Sequence, residues 1–246
     1  MNTTVLWLTW RQLFARRRIW LALAFSLAPL VLALFYKVVG DDTDAGRLNF
    51  LTTLNREIVI GTLLPLAAAV FGTTAFGGEV DDGTLIYLLV KPVARWQIVV
   101  SKYVVAVLST FAVMIPATFL PWLLLRDSAS GPGFVVGFLA GAAAGAAVYN
   151  ALFLLLGLWS RRALVVALIY VIAFEAVISR TLAGVKSLSV REFAVAIAQA
   201  ASSGTVKFTD TILPMSTVWT MGGIFLGASI IVTMRRLTRY EVAERL

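Results

Sequence analysis

Glu79-Val80-Asp81-Asp82-Gly83-Thr84-Leu85-Ile86-Tyr87-Leu88-Leu89-Val90-Lys91-Pro92-Val93-Ala94-Arg95 is a charged run set between two long apolar ones, Ile58 to Phe76 and Ile98 to Leu125. A polar segment so flanked has to sit at a membrane surface, because the apolar runs are long enough to cross a hydrocarbon core that takes about 20 helical residues. The composition agrees. Over 246 residues, 60% are apolar and 14% charged, whereas soluble domains carry roughly 25% charged residues. The chain has no cysteine and no histidine, which removes disulfides, thiolate nucleophiles, imidazole bases and the commonest zinc ligands together. Its net charge of +8 reads as contact with anionic headgroups rather than nucleic acid, because the basic residues collect at the ends of the apolar runs.

Six runs are long enough to span: Ile19 to Val39, Ile58 to Gly77, Ile98 to Leu125, Phe134 to Trp159, Ala163 to Ser179 and Met215 to Met234. The first follows Arg16-Arg17-Arg18 but exceeds a signal core, carries Trp20 and lacks a small-residue cleavage pattern, so it reads as a retained span. Ahead of it, Val5 to Arg18 sets Leu6, Trp10, Leu13 and Phe14 on one side and Thr9, Gln12 and Arg16 on the other. That pattern predicts an interfacial helix over residues 1–18, or a charged topology signal. With the N-terminus inside, Arg11, Arg16, Arg17, Arg18, Lys91, Arg95, Arg161, Arg162, Arg235, Arg236, Arg239 and Arg245 fall on the cytoplasmic side. Fewer basic residues, in longer loops, fall outside, which places both termini in the cytoplasm.

Three features within the spans and one segment outside them are candidates for function. Gly133, Gly137, Gly141 and Gly145 recur every four residues and form a stripe on which another helix backbone can approach closely, within this chain or from a second copy. Glu175 lies inside the fifth span, where an ionised carboxylate costs about 2.5 to 3.5 kcal/mol. A gate, a proton relay and a structural pairing with Arg180 are all open to it. Residues 180–214 form an external segment in which Arg191 to Ser203 predicts a short helix with Phe193, Ile197 and Ala200 on one side, broken by Ser202-Ser203-Gly204. Pro29, Pro65, Pro116 and Pro121 each remove a backbone donor within a span, as a hinge or simply as shape. No phosphate-cradling Gly-x-x-x-x-Gly-Lys-Ser/Thr loop is present, so ATP hydrolysis is not expected of this chain.

In the central run, a helix from about Glu79 to Val90 would bring Leu85, Leu88 and Leu89 to one face. Glu79, Asp81 and Asp82 would fall in its first turn, where the helix dipole favours negative charge. Pro92 ends it, and Arg95 with Lys102 opens the next span. A leucine face on so short a helix needs a partner, or sinks into the headgroups.

Glu79, Gly83-Thr84-Leu85, Leu88-Leu89, Lys91-Pro92-Val93-Ala94-Arg95, Ile98 and Lys102 resemble the Glu, Gly-Thr-Leu, Leu-Leu, Pro-Val-Ser-Arg, Ile, Lys pattern of type-2 ATP-binding-cassette (ABC) transporter permeases. Ala94 stands where serine is usual, and Ile86 where many members carry an acid. The resemblance implies a single all-α membrane domain over residues 1–246, with six transmembrane helices, an interfacial N-terminal helix, a coupling helix in residues 79–95 and an external gate segment in residues 180–214. It implies an exporter subunit in a prokaryotic inner membrane, paired with a second permease copy or a similar permease. A separate cytoplasmic ATPase would bind the ATP and magnesium. Glu79, Leu85, Leu88, Leu89 and Arg95 would form the docking surface, with Glu79 linking it to the N-terminal helix. No cofactor is expected in this chain, and membrane lipid is its other partner. The competing readings are an ion-coupled secondary transporter using Glu175 and a non-transporting membrane assembly protein.

Overall fold

The computed structural model describes residues 24–40, 43–81, 94–126, 130–160, 162–178, 187–204, 206 and 213–243. All regular structure among them is helical: α1 (Ala28–Val39), α2 (Asp44–Thr53), a π-helical stretch (Leu54–Leu63), α3 (Leu64–Asp81), α4 (Arg95–Leu125), α5 (Pro132–Trp159), α6 (Ala163–Tyr170), a second π-helical stretch (Val171–Ile178), α7 (Val190–Ala201) and α8 (Met215–Ala243). In an apolar surrounding every backbone donor must be satisfied within its own segment, and the helix does that.

Four of these helical runs are long and apolar enough to cross a membrane: Asp44–Val80, Arg95–Leu125, Pro132–Trp159 and Met215–Leu237. Ala24–Val39 and Ala163–Glu175 are shorter apolar helices at the expected first and fifth spans. At 31 residues, α4 is about 46 Å long at 1.5 Å per residue, so it projects beyond a hydrocarbon core of about 30 Å.

Two expected boundaries are corrected. The second spanning helix begins at Asp44, well before Ile58. Thr43 caps it by accepting from the Gly46 N–H at 3.1 Å, and Asp44 adds negative charge to the first turn. Asn55, Arg56 and Glu57, polar enough to suggest a loop, lie in the π-helical stretch instead, and Asn55 Nδ2 donates back to the Leu51 carbonyl at 2.9 Å. Pro65 follows directly, without the N–H that an α register would need there. The stretch closes with the Leu64 N–H donating five residues back to Val59.

The other end of this helix also differs. It runs through to Asp81, so Glu79 and Asp81 belong to its last turn and not to the first turn of a separate helix. Residues 82–93, with most of the expected coupling helix, and residues 1–23, with the expected interfacial helix, lie outside the described residues.

The core centres on α5, which packs against α3, α4, α7 and α8. Tyr149, Phe134, Phe138 and Phe153 of α5 are fully buried. By contrast α1 exposes Val31, Phe35 and Val38, and α8 exposes Trp219, Ile224 and Ile231. Large apolar side chains turned outward are what a hydrocarbon solvent accepts.

Candidate functional site

Charged groups gather at both ends of the bundle. At the end where α3 stops and α4 starts, the Lys102 ammonium lies 2.8 Å from Glu79 Oε2. It also donates to the Ala75 carbonyl and stands 4.9 Å from the centre of the Phe76 ring. Lys102 is 2% exposed. Glu79 sits at a helix C-terminus, where the dipole disfavours a carboxylate, and the lysine offsets this. Carboxylate, carbonyl and ring all come from the last two turns of α3, so one cation fixes where the chain leaves the helix. Arg95, the first residue of α4, is half-buried at this same end. Arg236 of α8 also lies here, 4.9 Å from the Trp159 ring at the end of α5.

Of the expected docking residues, the structure therefore brings Glu79 and Arg95 to one end of the bundle. Leu85, Leu88 and Leu89 lie outside the described residues. Glu79 is held by Lys102; the N-terminal helix to which it was expected to link is likewise outside them.

At the opposite end, α7 lies in a cleft among spanning helices. Its start follows from an N-cap in the sequence Ser189-Val190-Arg191-Glu192, in which Ser189 Oγ accepts from the Glu192 N–H at 3.3 Å. Its stop is Ser202-Ser203-Gly204, with Ser203 at φ 53° and Gly204 at φ 83°, the left-handed conformation that ends helices. Along α7, Ala194 and Ala198 face the glycine stripe of α5. A Cβ on Gly141 would strike the Ala194 carbonyl, and one on Gly137 would come within 2.5 Å of the Ala198 carbonyl. A Cβ on Gly145 would meet Leu64 and Ala194. The stripe is thus occupied from within the chain. Phe193 and Ile197 pack with Val218 and Phe225 of α8, whereas Ala200, expected to share that face, is exposed.

Glu175, 1% exposed, accepts from Ser189 Oγ at 2.6 Å and from the Val190 N–H at 3.0 Å. The carboxylate lies against the N-terminus of α7, where backbone donors and dipole both favour it. The fully buried ring of Tyr149 stands beside it. Arg180, the partner open to Glu175 in the sequence, is outside the described residues.

One residue further along, Arg191 Nη2 pairs with Glu57 Oε1 at 2.5 Å, and Nη1 lies 3.6 Å from Glu192 Oε1. Arg191 is 4% exposed. Gly61 makes room for it, since a Cβ there would sit 2.9 Å from Arg191 Nε. From the sequence Arg191 is expected only as the start of the external helix, and neither Arg56 nor Glu57 stands out there. Nothing in the sequence links positions 134 apart, although the Ser-x-x-Glu spacing was readable as the start of α7. Among the described residues no cluster of acidic side chains has metal-binding geometry.

No curated protein matches this sequence. The family model described as ABC-2 family transporter protein matches residues 12–183, which takes in the central polar run and the first five expected spans. The chain is therefore a member of the ABC-2 transporter permease family, a membrane subunit of an ABC transporter.

Proposed function

We propose that this chain is the transmembrane subunit of an ABC exporter, driven by a separate cytoplasmic ATPase that docks on residues 79–95. Six spans cross a prokaryotic inner membrane with both termini inside, and two permeases, identical or similar, form the passage between them. The observation that carries this reading is the Glu79–Lys102 pair at 2.8 Å. It anchors the base of the docking stretch to two spanning helices at once, so a push on that stretch reaches α3 and α4 together. Leu85, Leu88 and Leu89 supply the apolar anchors, Arg95 a cation beside them, and α7 closes the outer end. ATP and magnesium belong to the partner subunit. An ion-coupled carrier would need Glu175 free to exchange its ion, and its bonds to Ser189 and Val190 are those of a helix cap.

The test is purification of the tagged chain in mild detergent, with co-purifying proteins identified and ATP hydrolysis assayed. A stoichiometric ATPase is expected, lost in Leu88→Asp while the membrane part stays folded. Unchanged co-purification in Leu88→Asp would rule out docking through this face.

A further inference from the structure

Each of the two π-helical stretches carries one acid, and both acids hold the same element. Glu57 lies in Leu54–Leu63 and grips Arg191; Glu175 lies in Val171–Ile178 and grips Ser189 and Val190. We propose that Glu57 and Glu175 are paired positioning residues that hold α7 seated across the outer end of the bundle, and that the transport cycle releases both.

The argument starts from the helices themselves. A π-helical turn holds an extra residue, is rare, and recurs at functional sites. Restoring an α register rotates everything on one side of the wide turn by about 100° relative to the other. Such a rotation swings a carboxylate off the element it holds. Pro65, just past the first stretch, has no N–H to donate in an α register, so the wide turn costs less there than it would beside an ordinary residue.

The connectivity adds the second step. The first turn of α7 is bound to the second and fifth spans through the two acids, while its body is seated on the α5 glycines and against α8. Movement of the former pair of spans against the latter therefore loads the two carboxylates, in addition to the direct packing of α3 on α5. The family match ends at residue 183, so Ser189 and Arg191 lie beyond anything it covers. The release step rests on the permease reading above; the holding step does not.

The chain contains no cysteine, which makes a single reporter clean. Val195→Cys places a smaller side chain on the buried side of α7, where Val195 is 3% exposed. Its labelling by a water-soluble maleimide is followed in vesicles holding the permease with its co-purified ATPase. Without nucleotide the reporter should be protected, and Glu57→Gln or Glu175→Gln should speed labelling about tenfold or more. The exchange Glu57→Arg with Arg191→Glu should restore protection, and Arg191→Lys, which keeps charge but loses the fork, should fall between. Trapping the ATPase with ATP and vanadate should give wild type the labelling that Glu57→Gln shows at rest. Protection unchanged in both glutamine variants would overturn the proposal. So would wild type that stays protected on trapping, since the acids would then be static braces. If no ATPase co-purifies, the proposed ATPase-driven function fails, while the nucleotide-free comparison on the permease alone still decides whether the acids hold α7.

Discussion

Lys102 of α4 sets its ammonium 2.8 Å from the Glu79 carboxylate of α3, in a place where almost none of the lysine reaches solvent. Removing one partner of a buried pair leaves a lone charge and costs about 3–5 kcal/mol, whereas replacing both by apolar groups is often close to neutral. Glu79→Ala should therefore lower the thermal midpoint sharply, and Glu79→Ala with Lys102→Met should recover most of the loss. Intrinsic tryptophan fluorescence during heating in detergent reads this. Equal damage in the single and double variants would show that Glu79 matters for something other than the lysine.

The glycines of α5 and α8 make a controlled comparison. A side chain at Gly141 runs into the Ala194 carbonyl and the Ala198 side chain, while one at Gly227 meets nothing within 4 Å. Overpacking of this kind costs about 1–3 kcal/mol. Gly141→Val should destabilise the isolated chain by at least that much and loosen α7, and Gly227→Val should stay within about 0.5 kcal/mol of wild type. If Gly227→Val instead shifts a dimer toward monomer in cross-linking, the face of α8 that carries Gly227 is where a second permease approaches.

These residues also mark how far the sequence could be read. Spans were legible because a bilayer demands long apolar runs, and the glycine stripe because its spacing repeats every turn. The end of α7 was visible in Ser202-Ser203-Gly204, where left-handed backbone is needed. The start of the second spanning helix was not. Asn55-Arg56-Glu57 looks like a loop until Arg191, 134 positions from Glu57, supplies a partner that lets the acid stay within a helix. The π-helical turns were equally hidden, because an extra residue per turn is favoured by tertiary partners and not by local propensity. Glu79 was read as opening a helix because acids favour that end, and Lys102 is what lets it close one.

Asn150 of α5 donates through Nδ2 to Thr110 Oγ1 of α4 at 2.9 Å and to its own helix at Ala146 O, 2.8 Å. Both residues are fully buried. Hydrogen bonds between membrane helices average about 0.6 kcal/mol in double-mutant cycles and reach about 1.7. A cycle of Asn150→Leu and Thr110→Val should give a coupling in that range. A coupling near zero would mean that the Ala146 carbonyl alone satisfies the amide and that packing holds α4 on α5.

Ala94 is the N-cap of α4, at φ −59° and ψ 130°, with no side chain able to accept from the first turn. The Gln97 N–H is taken by the Ala94 carbonyl at 2.9 Å, which leaves other first-turn donors for a capping hydroxyl. Serine at this position in the related pattern Pro-Val-Ser-Arg has a physical reason: Ser and Thr caps are worth about 0.5–2 kcal/mol over alanine. Ala94→Ser should stabilise the chain by that amount, which for a protein of this size is a rise of about 2–4 °C per kcal/mol in the thermal midpoint. The gain should persist in the Glu79→Ala background, because the cap acts on the α4 terminus and not on the ion pair. A gain that vanishes there would mean that the cap and the Glu79–Lys102 pair form one unit at the base of the docking stretch.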